Sequence, residues 1–382
     1  MSMDDSAELR RMLLESLDRV LADLATPERV QAVDDTAFDA ELWQQMEALG
    51  FSRAPLPEDA GGVGLGMSDF CALLEVCGRH AAPVPLLESA GLAGWMLAAS
   101  GAEVPDGLLC AAPSLPGQAT GATGATTAPR VTRDGAGWRL DGVLEHVPHA
   151  AFARWLVLLA DGPEGPCVAR LDLQANPPGD RERGNNMAGE GRDRIDVTGM
   201  ELAADDVMPA GPGVDAEALL TRGALGRVAL MSGALQRALE LSLNYATERK
   251  QFGRPLSKFQ AIQQQLALLA AEASAVAAAL QMAAQAVDAG GGQAEVAAAK
   301  IRAGRAVGAG CRIAHQVHGA MGFTQEYPLH HVTRRLWSWR DEYGTESYWA
   351  RRLGRAVAAH GAQGFWPYAT QAPGSREPLP AA

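Results

Sequence analysis

The pattern of apolar and polar positions changes character twice along this chain of 382 residues. In the first part, apolar residues recur at three- and four-residue spacing, as in "AELWQQMEALGF", and this period predicts helices. From about residue 109 the chain reads as short β-rich runs broken by Gly, Pro and Asp, which predicts strands joined by turns. Long Ala- and Leu-rich helical stretches follow over 218–287 and 294–317, separated by the turn "DAGGGQ", with another helix near Tyr348.

These changes predict an α+β protein built in the order helices, strands, helices. The expected segments are an N-terminal α-helical domain over 1–108, a middle β-domain over 109–207 and a C-terminal helical domain over 208–364. The remaining segment, 365–382, is rich in Pro and Gly, and we expect it to be disordered or to lie on the surface.

Composition narrows the class of protein. A formal charge of −12 and an isoelectric point near 5.2 argue against a general nucleic-acid binder, which needs a basic face for phosphates. The N-terminal pattern is that of an acidic amphipathic helix rather than a signal peptide, and no uninterrupted apolar run has the length of a membrane span. Five cysteines without a CxxC pair fit reduced thiols. A cytoplasmic globular protein is therefore expected.

Two local patterns suggest sites that we do not expect. The glycines of "EDAGGVGLGMS" precede a helix, but they match neither phosphate-loop spacing, so a turn is the better interpretation. His315 and His318 lie three residues apart on a predicted helix, without a carboxylate or cysteine at ligand spacing. We expect helix packing or hydrogen bonding there, and no metal site.

The stretch "GVLEHVPHAAFARWLVLL", residues 142–159, gathers acid–base groups in what otherwise reads as two adjoining strands. Glu145, His146 and His149 stand close together around Pro148. Three interpretations remain open from the residues alone: a recruited histidine catalyst, ordinary surface chemistry of a strand, or a site whose original chemistry has been lost.

Three longer stretches together resemble the acyl-CoA dehydrogenase family. They are "PLPEDAGGVGLGMSDFCALLEVCGRHAAPVPLLES" (55–89), "ATERKQFGRPLSKFQAIQ" (246–263) and "HQVHGAMGFTQEYPLHHVTRRLWSWRDEYGTESYW" (315–349). The likeness extends over nearly the whole chain up to about residue 360. It implies an N-terminal helical domain, a small β-barrel-like middle domain and a C-terminal four-helix bundle.

The resemblance also implies a reaction. Members of this family use FAD to desaturate the α,β-bond of an acyl-CoA thioester: a glutamate removes the α-proton and the flavin accepts the β-hydride. Electrons then pass to an electron-transfer flavoprotein. Each FAD lies across a dimer interface, with its ring held by one subunit and its pyrophosphate and adenine held largely by the neighbour.

The pyrophosphate side of that site matches the family at several positions. Arg249 and Phe252 stand in "ERKQFG", where the family places a phosphate-binding guanidinium and an aromatic ring, and Gln316 and Gly319 stand in "QVHGAMG". The resemblance places Thr345 among the cofactor-binding residues as well.

The flavin-ring side departs from the family. The family's "GxKxWITNG" has an aromatic residue and then a hydroxyl, where this chain has His146 and Pro148, and proline offers neither a hydroxyl nor an N–H. The family's "LTEPxAGSD" loop is replaced by "CAAPSLPGQATG". The cluster in 142–159 therefore reads best as a lost site.

The catalytic base is also displaced. Alignment of "EYGTESYW" with the family's "YEGTSEIQ" puts Tyr343 at the glutamate position and Glu342 one residue early. The other base position known in the family falls near Gly223, without a carboxylate nearby. Glu342 is the candidate catalytic base, and a structural role is the alternative.

The leading hypothesis is the supporting subunit of a heteromeric α2β2 acyl-CoA dehydrogenase, whose sister subunit holds the flavin ring and carries the base. This arrangement resembles that of complexes used on steroid side-chain thioesters, so the resemblance implies a bulky acyl-CoA as substrate. The alternatives are a self-sufficient homomeric acyl-CoA dehydrogenase that uses Glu342, and a non-catalytic scaffold of the same fold.

Overall fold

The computed structural model describes residues 3–33, 38–113 and 129–380, with side chains from residue 8 onward. Helices in these residues are Met3–Leu24 (α1), Pro27–Val33 (α2), Ala40–Ala48 (α3), Met67–Arg79 (α4), Trp95–Ala99 (α5), Ala216–Glu248 (α6), Gln260–Asp288 (α7), Gln293–His318 (α8), Leu329–Asp341 (α9) and Glu346–Ala369 (α10).

The strands form a block between α5 and α6, apart from one short hairpin. They are Leu109–Ala111 (β1), Arg130–Asp134 (β2), Gly137–Asp141 (β3), Val143–Pro148 (β4), Trp155–Gly162 (β5), Gly165–Asp172 (β6), Asp180–Glu182 (β7), Arg192–Asp196 (β8), Met200–Leu202 (β9), Val207–Pro209 (β10), Lys250–Gln251 (β11) and Arg254–Pro255 (β12). N-terminal helices, a central sheet and a C-terminal helical bundle confirm the predicted α+β class.

The chain divides into two compact units that are each discontinuous in sequence. One unit comprises residues 1–32, 66–82 and 224–382, and the other comprises 33–65 and 83–223. The boundaries expected at residues 108, 207 and 364 differ from this division and stay predictions.

Two glycines allow α4 and α6 to cross closely inside the first unit. A Cβ atom on Gly78 would lie 2.1 Å from the carbonyl oxygen of Leu230, and one on Gly233 would lie 1.9 Å from that of Glu75. Any larger residue at either position would therefore force the helices apart. Across this contact, Ser232 Oγ donates a hydrogen bond of 2.7 Å to the Glu75 carboxylate.

The helices α7 and α8 are joined at the predicted glycine turn, where Gly290 and Gly292 take φ of +90° and +98°. Inward-facing residues of α7 include Leu269 and Val276, while its outer face exposes Leu268 and Met282. By length and composition α7 could cross a membrane, but the core helix of a soluble protein passes the same test.

The second unit is organised around the β5–β6 hairpin, which pairs from Trp155 opposite Asp172 to Gly162 opposite Gly165. The sheet order is β10-β6-β5-β2-β3-β9, with β1 also paired to β5. A separate sheet has the order β4-β8-β7. Apolar residues from both sheets form one core, including Leu140, Leu156 and Ile195.

The segment 365–380, which we expected to be disordered or to lie on the surface, is mostly exposed and begins as helix. The helix α10 continues to Ala369 with a kink at Gly361, and the Arg376 guanidinium contacts the carboxylate of Glu295 and the carbonyl oxygens of Tyr368 and Ala369. Proline and glycine content indicated only the lack of regular structure after the helix. It could not reveal that a buried acid elsewhere in the chain binds this segment.

Candidate cofactor-binding site

The predicted Gly–Arg–Pro turn after α6 is a tight hairpin that presents an aromatic side chain. Strands β11 and β12 pair Gln251 with Arg254, and the two residues between them, Phe252 and Gly253, have φ of +50° and +78°. Positive φ at both turn positions matches the right-handed twist of a hairpin, but it is strained for a bulky residue. Phe252 is nevertheless 93% exposed. Strain at an exposed aromatic residue is typical of a site that contacts something else.

Arg249 lies at the base of this hairpin with its backbone fixed and its side chain exposed. Its N–H donates to the carbonyl oxygen of Tyr245, and its own carbonyl accepts from the N–H of Leu256, both at 2.9 Å. Within the part of the chain that the structure describes, its guanidinium has no ion-pair partner. A guanidinium on a rigid base with its donors turned outward suits a phosphate group.

The end of α8 exposes Gln316 and Gly319 over a layer of aromatic rings. Gly319 ends the helix with φ +59° and ψ −137°, and a Cβ atom there would meet nothing within 4 Å. Beneath it, His318 stacks on Tyr245 at 4.6 Å, and His315 stacks on Phe323 at 4.4 Å. Burial lowers the pKa of both histidines, so both rings are neutral at neutral pH.

The stacking of His318 on Tyr245 brings two sequence-predicted sets together. Tyr245 lies one helical turn before Arg249 on α6, and His318 immediately precedes Gly319 on α8. The pyrophosphate-side candidates from "ERKQFG" and "QVHGAMG" therefore converge on one end of the first unit.

Glu342 lies in the α9–α10 turn and forms an ion pair that the sequence did not indicate. Its Oε2 is 2.6 Å from Nη2 of Arg227 on α6, where the arginine side chain is 3% exposed and the glutamate side chain 19%. Tyr343 is buried at φ +52°, and its carbonyl accepts a hydrogen bond of 3.0 Å from Trp349 Nε1. Arg227 lies 18 residues before Tyr245, so Glu342 is roughly 27 Å along α6 from the other candidates.

Thr345 begins α10 and uses its hydroxyl inside the chain. Its Oγ1 accepts from the N–H of Tyr348 at 3.3 Å, as helix N-caps do, and lies 3.0 Å from Ser347 Oγ. Gly344 before it has φ +91°, and a Cβ there would be 2.6 Å from Trp349 Nε1. The structure therefore places Thr345 with Glu342 and apart from Arg249 and Phe252.

The cluster in 142–159 lies in the second unit. Its two expected strands are β4 and β5. Glu145 is 3.3 Å from the Arg194 guanidinium, and His146 is exposed at φ +55° where the register of β4 shifts. Pro148 is buried at the end of the strand. The replaced loop "CAAPSLPGQATG" lies outside the described residues from position 114 onward.

Two basic residues of the first unit were missed by sequence reasoning. Arg227 is one, and Lys300 of α8 is the other: it is buried, and its Nζ donates to the carbonyls of Trp339 and Arg340 at 3.1 and 2.7 Å. Burial lowers the pKa of Lys300 to about 7. The sequence signal for both residues was a basic side chain at a position that the apolar period of its helix assigns to the core.

In the described residues no three His, Cys, Asp or Glu side chains are grouped as metal ligands.

Comparisons with known proteins match both ends of the chain. The model of the acyl-CoA dehydrogenase N-terminal domain matches residues 7–104, and that of the C-terminal domain matches 211–358. Acyl-CoA dehydrogenase FadE27 of Mycobacterium tuberculosis is 29% identical over 363 residues, or 90% of this chain and 95% of that protein.

Two solved structures share the fold over nearly their full length. A chain of the ChsE4–ChsE5 complex from Mycobacterium tuberculosis has a TM-score of 0.81 at 25% identity, covering 91% of this chain and 97% of that one. A variant of the Tcur3481–Tcur3483 steroid ACAD has a TM-score of 0.76 at 28% identity, covering 93% and 99%.

Proposed function

We propose, since the chain belongs to the acyl-CoA dehydrogenase family, that it is the supporting subunit of a heteromeric complex. The family consists of oxidoreductases that act on CH–CH bonds and bind FAD. In this proposal the chain contributes Arg249, Phe252, Gln316 and Gly319 to the pyrophosphate and adenine side of an FAD. A sister subunit holds the flavin ring and carries the base, and FAD supplies the hydride acceptor for desaturation of an acyl-CoA.

The observation that carries the proposal is Phe252. An aromatic ring that is 93% exposed at a strained turn, with an edge contact to Phe259, gives a single chain little packing energy. Covering the ring by a partner subunit or a bound cofactor would recover about 2 kcal/mol of apolar burial. The position therefore makes physical sense in a complex and not in an isolated chain.

The neighbouring residues fit a dinucleotide phosphate. Arg249 supplies planar donors on a fixed backbone, and the exposed Gly319 leaves open space where a side chain would stand. Both features are needed for close approach of a pyrophosphate to main chain and guanidinium. A pure scaffold would have no need for them, which disfavours that alternative.

The homomeric alternative requires Glu342 to act as the base. A carboxylate that removes a proton must reach the substrate, but Glu342 is engaged by a guanidinium that is 3% exposed. Freeing it would break a contact of 2.6 Å with a buried guanidinium, which is unfavourable. We therefore place the base in the sister subunit.

The identity of the partner and of the substrate follows by analogy. Two structures similar to this chain are the ChsE4–ChsE5 complex and a Tcur3481–Tcur3483 steroid ACAD. By analogy, the partner is a second acyl-CoA dehydrogenase chain, and the substrate is a bulky acyl-CoA such as a steroid side-chain thioester. The exposed Leu268 and Met282 on the outer face of α7 are consistent with a surface that another subunit covers. An electron-transfer flavoprotein is the expected electron acceptor.

The first test measures FAD per mole of chain by visible absorbance, for the chain alone and with a sister chain from the same genome. We expect the chain alone to hold little FAD and the complex to hold it. In the complex, Arg249→Ala should weaken FAD binding by roughly 10- to 100-fold, the scale of a lost charge-assisted hydrogen bond.

Arg351→Ala is the matched control, because Arg351 is an exposed arginine on α10 outside the proposed site. It should leave FAD binding unchanged. A stoichiometric flavoprotein purified from this chain alone would overturn the supporting-subunit role. Equal FAD affinity in the Arg249 variant and its control would overturn the assignment of the site.

A further inference from the structure

The C-terminus of α9 is held by a lysine that comes from another helix. The last carbonyls of a helix have no partner within it, and those of Trp339 and Arg340 accept hydrogen bonds from Lys300 of α8. Such carbonyls also carry partial negative charge, which favours a cation beside them. The lysine therefore fixes the point at which the α9–α10 turn begins.

Burying a lysine to supply hydrogen bonds to two carbonyls is unfavourable for the overall stability of the chain. Desolvation is the largest influence on Lys300, and it lowers the pKa of the amine to about 7. An apolar side chain of similar length would avoid that penalty, but it would leave both carbonyls without a donor. The lysine therefore stabilises a particular conformation of the turn more clearly than it stabilises the whole fold.

The same turn is held from a second side by Arg227 of α6. Its guanidinium contacts Glu342 at 2.6 Å and lies 5.7 Å from the ring centre of Tyr343. Together the two contacts bracket a segment with positive φ at both Tyr343 and Gly344. Such a conformation is strained for tyrosine, and it persists only where the surroundings determine it.

Several other charged groups face Lys300 or flank it. Asp341, Glu342 and Glu346 favour its charged form, and Arg227 disfavours it. Glu346 is paired with Arg340 at 2.6 Å. On the side of α7, Glu272 is paired with Arg302 and not with the lysine.

We propose that Lys300 and Arg227 are positioning residues that clamp the α9–α10 turn from two helices. The clamp holds Tyr343 and Gly344 at positive φ and fixes the start of α10 at Thr345. The clamp acts on the conformation of this turn within the chain itself and needs no contact with FAD.

The test measures hydrogen exchange of the backbone amides over 342–347 in the full chain without FAD. We expect Lys300→Met and Arg227→Gln each to speed this exchange by about 10-fold or more, the scale of a lost buried hydrogen-bond donor. Lys300→Met should not lower the global resistance of the chain to urea at pH 7, because it also removes the desolvation penalty. Loosening of the turn without global destabilisation separates positioning from a merely structural role.

The matched controls are Lys258→Met, at an exposed lysine, and Arg237→Gln, at an arginine of α6 whose ion pair with Glu240 lies on the surface. Both should leave the turn as protected as in the unmodified chain. Unchanged exchange over 342–347 in either clamp variant would overturn the proposal, and so would faster exchange spread evenly over the bundle. Because the assay contains no FAD, the clamp can stand even if the Arg249 test overturns the proposed function.

Discussion

Two regions of the first unit use similar residues in opposite ways. At the α6–α7 hairpin and the end of α8, Arg249, Phe252 and Gly319 are exposed, and their backbones are fixed while their surfaces meet solvent. At the α9–α10 turn, Glu342 and Thr345 have their polar groups engaged by Arg227 and by the first turn of α10. In the proposed function the first region contacts another molecule, whereas the polar groups of the second are engaged within the chain.

Positions used for binding and positions that stabilise the fold differ in whether their polar groups require a partner within the chain. A buried polar group without a partner is unfavourable by about 1 to 3 kcal/mol, so an internal ion pair such as Arg227–Glu342 is expected wherever a charge is enclosed. An exposed guanidinium or aromatic ring carries no such requirement. Its rigid placement is explained better by a partner than by the stability of the chain.

Two glycines at positive φ give the largest expected contrast between the regions. Gly344→Ala should destabilise the chain by about 3 kcal/mol, because its Cβ would add a clash with Trp349 to the strain of φ +91°. Gly319→Ala should lower stability by less, about 1 to 2 kcal/mol, because its Cβ adds no clash to the strain of φ +59°. Urea unfolding of the two variants measures the difference.

FAD binding of the complex should reverse that order. The Gly319 variant, the more stable of the two, should lose FAD affinity because its methyl group would stand where the proposed function places the pyrophosphate. Equal stability losses in the two variants would contradict the view that only the α9–α10 turn is closed by internal packing.

The elements of the exposed region could be predicted because they follow from local motifs. The enclosed region could not, because it depends on contacts between residues far apart in sequence. The hairpin follows from "QFGRP", and the helices α7 and α8 follow from their apolar period. The binding role of Arg249, Phe252 and Gly319 comes from the family resemblance and stays a prediction. The Arg227–Glu342 pair joins residues 115 positions apart. No pattern along the chain encodes that contact, and the contact of Arg376 with Glu295 was hidden for the same reason.

The pH dependence of stability gives the next largest effect, and it concerns only the enclosed region. Lys300 has a pKa of about 7 in the folded chain against 10.5 when exposed, so between these values the unfolded chain binds more protons. Stability from this group therefore rises with pH above 7. From pH 7 to 8.5 the unmodified chain should gain about 2 kcal/mol relative to Lys300→Met.

The window ends at pH 8.5 because buried thiols act in the opposite direction above it. Burial raises the pKa of Cys77 and of Cys311 to about 12, against 9.0 for an exposed thiol, so the unfolded chain loses these protons first and stability falls as pH rises. Urea unfolding at three pH values within the window checks the lysine effect. Parallel curves for the two proteins would show that Lys300 is charged to the same extent in both states.

The smallest expected effect decides whether the enclosed region takes part in chemistry. Glu342→Gln keeps the shape of the side chain and a hydrogen bond to Arg227, but it removes the ability to accept a proton. Loss of a general base slows a reaction by about 10²- to 10⁴-fold. If the carboxylate serves only as the counter-ion of Arg227, turnover of the assembled complex should stay within about threefold of the parent.

The measurement is kcat with saturating acyl-CoA and an artificial electron acceptor, with FAD content determined in parallel. Asp341→Asn, which neutralises the exposed acid next to Glu342, is the matched control. A collapse of kcat in the Glu342 variant alone, with FAD still bound, would make Glu342 the base. The homomeric alternative would then be favoured, and Glu342 would have to leave its pair with the buried Arg227 during turnover.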